Sequence, residues 1–219
     1  MSRPIIGISC NVKEENGKTF YILHSAYVNS VKEAGGVPFL IPHNPELAAE
    51  MLDALDGVLL TGGDDIDVRE FGQTLHAKAD LMPPLRQRGE FALLHALDQR
   101  PTLPVLGICL GMQLMGVHNG CPLIQHLHDV IADGDRHVGN KIHSISGAIG
   151  AGPVTSSHHQ ALASAGPFET IALSDDGVLE AIALANRPFY VGVQWHPERT
   201  QDQELGLGII KKLVNAAQK

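Results

Sequence analysis

Short apolar blocks alternate with longer amphipathic stretches through the first half of the chain. Residues 4–9 form a β-rich apolar run. Residues 25–34 have helical spacing, with Tyr27, Val28, Val31 and Ala34 on one face, and Gly35-Gly36 stop them. Residues 37–41 predict the next strand. Residues 45–55 predict a helix with Asn44 as N-cap ahead of a first-turn proline. A third strand is expected over 57–61, a helix over 85–99, and a fourth strand over 103–108 that runs straight into Cys109. Repeated βα units with continuously apolar strands imply a parallel sheet covered by helices on both faces.

The pattern changes after Gly120. Residues 142–149, 170–173, 178–184 and 189–194 read as strands, several of them antiparallel, joined by Gly/Pro/Asp turns. An amphipathic helix over about 203–217 closes the chain. The stretch between, residues 62–84, is long for a compact domain and carries Asp64, Asp65, Asp67, Arg69 and Glu70. Loops of that length are usually functional, although a solvated excursion has the same composition.

Composition narrows the classes. A chain of 219 residues holds one substantial core, so a single domain over 1–219 is expected. A formal charge of −8 argues against a nucleic-acid or anionic-membrane surface. Neither a signal peptide nor a run long enough to span a bilayer is evident. Three cysteines, Cys10, Cys109 and Cys121, without a CxxC pair suggest neither a disulfide framework nor a zinc knuckle. A reducing cytoplasm is the expected compartment.

The sharpest chemical signal is Gly107-Ile108-Cys109-Leu110-Gly111, a Gly-x-Cys-x-Gly turn where a buried strand meets a helix. Its Gly-x-Ser-x-Gly counterpart is the nucleophile elbow. The reactive atom then projects over the carboxyl edge of the sheet, where open α/β sheets bind ligands. The helix N-terminus favours a thiolate and aims free N–H groups at a nascent oxyanion. Taken alone, the same residues also suit a small buried cysteine that closes a strand.

A thiol nucleophile needs a base. Among 12 histidines, His196 stands out because a β-rich run delivers it to Trp195-His196-Pro197-Glu198. Pro197 ends the strand, and Glu198 can reach back to one ring nitrogen and set the tautomer. His126, His128, Asp129, His137 and His143 lie near one another in the sequence but match no closed zinc pattern. They read as solvated turn histidines, with no metal or organic cofactor expected.

Through these motifs the chain resembles the class I glutamine amidotransferase family, and within it the γ-glutamyl peptidase branch. The resemblance extends over Pro4-Ile5-Ile6-Gly7-Ile8, Ala34-Gly35-Gly36-Val37-Pro38, Leu60-Thr61-Gly62-Gly63-Asp64-Asp65, the Cys109 elbow, Ser157-His158-His159-Gln160-Ala161 and Gln194-Trp195-His196-Pro197-Glu198. It implies a three-layer α/β sandwich with a mostly parallel, flavodoxin-like sheet and an antiparallel addition in the second half. It also implies a Cys109–His196–Glu198 triad, backbone N–H groups of Gly63 and Leu110 as the oxyanion hole, and Gln113 and His158 against the substrate. A structural hydrogen-bonding role for His158 or His159 stays open.

The implied activity is hydrolysis of γ-glutamyl amide bonds in a small-molecule substrate through a glutamyl thioester. Leu110 stands where the peptidases often carry arginine and is more like glutaminase subunits that feed a separate synthase. That alternative, a homodimer, and a non-catalytic γ-glutamyl binding protein remain open. Cys10 and Cys121 are expected to be non-catalytic.

Overall fold

The computed structural model describes residues 2–218. The chain opens with β1 (Ile5–Ser9) and a hairpin, β2 (Asn11–Glu15) and β3 (Lys18–Ile22). There follow α1 (Ser25–Glu33), β4 (Val37–Ile41), a 3-10 turn Pro45–Leu47, α2 (Ala48–Asp53), β5 (Gly57–Leu60), α3 (Pro84–Asp98), β6 (Val105–Ile108) and α4 (Leu110–His118). The second half contains β7 (Leu123–Ile124), β8 (Lys141–Gly147), β9 (Gly150–Ser156), β10 (Ala161–Leu162), β11 (Glu169–Ser174), β12 (Leu179–Ala183), β13 (Tyr190–Val193) and α5 (Leu207–Ala216).

Nine strands form the main sheet in the order β4-β1-β5-β6-β13-β12-β11-β8-β9. The portion β4-β1-β5-β6-β13 is parallel, and β12, β11, β8 and β9 extend it antiparallel. This is the expected α/β sandwich with its added antiparallel part. Strand residues alternate between two cores because the side-chain period is two. Val58, Leu60 and Val105 pack beneath α3 and α4, whereas Leu59, Leu106 and Ile108 pack with Tyr27, Val31, Ile209 and Leu213 of α1 and α5.

Most expected elements stand within a residue or two of their predicted bounds, with three differences. The helix expected over 45–55 is divided into a 3-10 turn and the short α2, although Asn44 caps it as expected, with Oδ1 accepting from Glu46 N at 3.2 Å. The closing helix starts later than expected, at Leu207. The hairpin β2–β3, strand β9 and the short pair β7–β10 are not among the expected elements. Among the described residues no helix is long and apolar enough to cross a membrane.

The elbow glycines have a steric reason. A Cβ on Gly107 would lie 2.7 Å from Gly111 carbonyl oxygen, and one on Gly111 would lie 2.4 Å from Leu60 carbonyl oxygen. Strand β6, helix α4 and the end of β5 therefore meet at a closeness that side chains forbid.

Candidate active site

Cys109 sits between the last residue of β6 and the first of α4, with φ 53° and ψ −107°. A non-glycine residue in such a conformation costs about 1–3 kcal/mol and persists only where its surroundings enforce it. Here the Cys109 N–H donates to Val193 O at 2.8 Å, which ties the elbow to the end of β13. That bond also sets the distance to His196, three residues further on.

The segment after β13 is held on both sides. Trp195 is fully buried and its Nε1 donates to Leu205 O at 2.9 Å. His196 N donates to Thr155 O at 2.9 Å, and Thr200 Oγ1 donates to His196 O at 2.9 Å. His196 Nδ1 donates to Glu198 Oε1 at 2.8 Å, leaving Nε2 as the ring atom for the Cys109 thiol, with which the ring is hydrogen-bonded. Arg199 Nε donates to the same carboxylate oxygen at 3.1 Å.

The electrostatics match this geometry. Burial alone would lower the His196 pKa, but the charge and hydrogen bond of Cys109, followed by those of Glu198, raise it to about 9. Burial would raise Glu198, yet the His196 hydrogen bond and charge, with Arg199, hold it below the usual carboxylate range. The site thus favours an imidazolium at His196 beside the Glu198 carboxylate. Away from this corner, burial, reinforced by Glu90, pushes the Cys10 thiol up to about 11, and burial raises Cys121. They stay protonated and weakly nucleophilic.

Gly62 and Gly63 follow β5 and face the elbow. A Cβ on Gly62 would lie 3.0 Å from His196 Cε1 and 3.5 Å from Cys109 Cβ. Gly62 N–H donates to Tyr27 Oη at 3.1 Å, so the next amide along, that of Gly63, is the one on the cleft wall. The Leu110 side chain is turned away, buried in the core beneath α3. The cleft, of about 190 Å³, is lined by Gly63, Cys109, Gln113, His158 and an acidic trio, Asp64, Asp65 and Asp80. The loop 62–84 therefore supplies cleft wall and is not a solvated excursion. A larger cavity of about 700 Å³ beside Phe71, Phe91 and His118 shares no residue with this cleft.

Gln113 lies one helical turn beyond Cys109, with Nε2 donating to Gln160 O and Gln194 Oε1, each at 3.2 Å. His158 is brought to the cleft by its backbone, but its ring is buried, with Nδ1 donating to Gln160 O at 2.8 Å. That is the structural hydrogen bond left open by the sequence. His159 Nε2 donates to Asp65 Oδ1 at 3.0 Å on the cleft wall.

Sequence reasoning missed the support under Gly62-Gly63. Arg86 is fully buried, and its Nη2 donates to Gly62 O at 2.9 Å and Thr61 Oγ1 at 3.1 Å. Its Nε lies 3.4 Å from Glu90 Oε1, which also accepts from Ser9 Oγ at 2.9 Å. A Cβ on Gly63 would strike Arg86 Nη1 at 1.9 Å, so the glycine and the guanidinium require each other. The available signal was phase: Arg86 and Glu90 share a helix face with Leu93 and Leu97, where a solvated pair has no place. Removing one partner leaves a buried, uncompensated charge. Arg86→Met is expected to lower stability by about 3–5 kcal/mol in denaturant unfolding. Adding Glu90→Gln should restore much of that stability without restoring turnover. Recovery of both would mean that the guanidinium does not position the glycine loop.

A parallel α/β sheet presenting a cysteine, a histidine and a glutamate together at its carboxyl edge defines a class I glutamine amidotransferase-like protein. Residues 4–198 match the peptidase C26 family, to which the chain belongs. It is 36% identical, over 99% of its length and 75% of the relative's, to a Mycobacterium tuberculosis protein provisionally assigned as a glutamine amidotransferase. It is 27% identical to the γ-glutamyl-γ-aminobutyrate hydrolase of Escherichia coli K12, over 90% of this chain and 87% of that one. A solved glutamine amidotransferase from Thermotoga maritima shares the fold, with TM-score 0.60, 13% identity, and coverage of 90% of this chain and 77% of that one.

Proposed function

We propose that this protein hydrolyses the γ-glutamyl C–N bond of a small γ-glutamyl amide through a thioester on Cys109. The observation that carries the reading is the His196 ring, engaged through Nδ1 by Glu198 and turned with its other edge to Cys109 at the elbow. The Cys109 thiolate attacks the γ-carbonyl carbon, and the carbonyl electron pair moves to oxygen, facing the amides of Gly63 and Leu110. Collapse breaks the C–N bond while the imidazolium of His196 gives its proton to the departing amine. Neutral His196 then takes a proton from water, whose oxygen attacks the thioester. Glutamate leaves, and the thiolate and imidazolium are restored. Loss of either oxyanion donor corresponds to roughly 10²–10³ in rate.

The acidic trio suits the ammonium group of a γ-glutamyl substrate, since burial and the Asp80 charge raise Asp64 and make a nearby cation favourable. The name of the Escherichia coli relative supports a γ-glutamyl amine as substrate. All three cysteines are free, which leaves the Cys109 thiol available. Delivery of ammonia to a synthase is the second reading, which the residue type at position 110 suggests in the sequence alone. The buried Leu110 side chain offers the cleft nothing that distinguishes the two.

The test is a substrate panel of glutamine, γ-glutamyl-γ-aminobutyrate, γ-glutamyl polyamines and γ-glutamyl peptides, with glutamate and ammonia measured separately. Glutamate release from γ-glutamyl amines well above that from glutamine is expected. Glutamine as the only substrate would establish the glutaminase reading instead. Turnover of none would reject hydrolysis.

A further inference from the structure

Beside the cleft lies a second set of ionisable groups that the hydrolysis does not use. Glu180 on β12, His143 on β8, His137 at the end of a 3-10 turn and His158 after β9 come together with side chains at most 1% exposed. His137 and His143 are thus buried, correcting their reading as solvated turn histidines. The turns that carry them fold inward against the antiparallel sheet.

The ring orientations of His137 and His158 are fixed from outside the cluster. His137 Nε2 lies 3.0 Å from Asp176 Oδ2, and His158 Nδ1 lies 2.8 Å from Gln160 O. A carboxylate and a carbonyl can only accept, so those two nitrogens carry hydrogen. In the neutral rings the remaining nitrogens, His137 Nδ1 and His158 Nε2, present bare lone pairs. Both face Glu180 Oε1, at 3.5 and 3.6 Å. Neither nitrogen has a hydrogen-bond partner of good geometry, nor has Glu180 Oε2, although all are buried; the nearest nitrogen to Glu180 Oε1 is His143 Nε2, at 3.0 Å. Two lone pairs turned on a buried carboxylate favour a positive charge between them, carried by a proton or by a metal ion.

A proton fits that place poorly, because N–H···O bonds cluster near 2.9–3.0 Å. A metal ion fits it well. Bonds of about 2.0–2.1 Å to nitrogen and oxygen, at tetrahedral angles, separate neighbouring ligand atoms by roughly 3.4 Å. The ligand atoms of His137, His158 and Glu180 lie within 4.8 Å of one another. Imidazole donors whose other N–H is held by a carboxylate or a carbonyl are the usual outer arrangement of a metal-bound histidine.

We propose that His137, His158 and Glu180 form a buried site for one divalent ion of the zinc class, with His143 packed against the carboxylate. Two imidazoles and one carboxylate suit zinc, cobalt or nickel better than calcium or magnesium. The ion would brace the cleft wall. Ser157 O lies 4.0 Å from Cys109 Sγ, and His158 N donates to His137 O at 2.8 Å, so the ligands and the wall are one piece. This inference does not rest on the proposed hydrolysis.

The experiment strips the full chain with a chelator, dialyses it against Zn(II) or Co(II), and measures metal content and ligand-field absorption. About one ion per chain is expected, with tetrahedral Co(II) bands and a thermal midpoint that rises with metal. Asp176→Asn, which takes the negative charge from the outer partner of His137 (a carboxylate shared with Ser174 and Arg136), should weaken binding roughly 10–100-fold. His137→Ala should weaken it further, whereas His118→Ala should leave it unchanged. A wild-type chain that retains no ion would overturn the proposal. So would metal held as tightly by His137→Ala and Asp176→Asn as by wild type, which would place the ion on an outer cluster such as His95, Asp98 and His118.

Discussion

Cys109→Ala is expected to abolish γ-glutamyl hydrolysis, by roughly 10⁶-fold, while the chain stays folded. The size of the loss follows from the division of labour at the elbow. The amides of Gly63 and Leu110 and the His196 ring remain in the variant, but no group is left to form the thioester. Water would have to attack an unactivated amide directly. Stability should change little, because Cys109 is a small side chain and alanine meets the same positive φ of 53°. The variant also carries an internal check. The Cys109 charge is the largest influence raising the His196 pKa against burial, which lowers it. Nuclear magnetic resonance titration should therefore find His196 near about 9 in the wild type and clearly lower in the variant. Turnover within tenfold of wild type would remove Cys109 from the mechanism. An unmoved histidine titration would show that the ring and the sulfur do not interact.

The meeting of Cys109, His196 and Glu198 was readable from the sequence because each part is a local backbone requirement. Gly107 and Gly111 stand where a Cβ would meet backbone or neighbouring atoms, Pro197 ends the β13 segment, and Glu198 reaches His196 across two residues. The parallel half was readable for a related reason: its central strands are buried on both faces and so continuously apolar. What the sequence hid depends on contacts between distant segments. Glu180 and His143 are separated by 37 positions, and only the pairing of β11 with both β8 and β12 makes them neighbours. Arg86 touches Gly62 because α3 packs under the end of β5. The hairpin β2–β3 is a different failure. Its charged positions, Lys13, Glu14, Glu15 and Lys18, obscure strand alternation. Yet Asn16-Gly17, both at positive φ, is the two-residue turn that such hairpins favour.

Glu198→Gln should lower kcat/KM by about 10²–10⁴-fold, less than His196→Ala, and should move the alkaline limb of its pH profile downward. The hydrogen bond itself can survive the change. Glu198 Oε1 accepts from both His196 Nδ1 and Arg199 Nε, so Arg199 holds an amide oxygen in the same place. What is lost is the negative charge. That charge helps raise His196, so the neutral amide lets burial pull the ring back toward lower pKa. Amine release needs the protonated ring, and activity in the wild type therefore falls as pH rises through about 9. In the variant the same fall comes at lower pH. Stability follows the same direction. A histidine raised on folding contributes stability that is fully present below its unfolded value, near about 6.5, and is lost as pH rises through its folded one. The variant should lose part of that contribution at neutral pH. Two profiles with superimposed alkaline limbs would show that Glu198 orients the ring without tuning it. A loss as large as that of His196→Ala would show that Arg199 does not hold the amide.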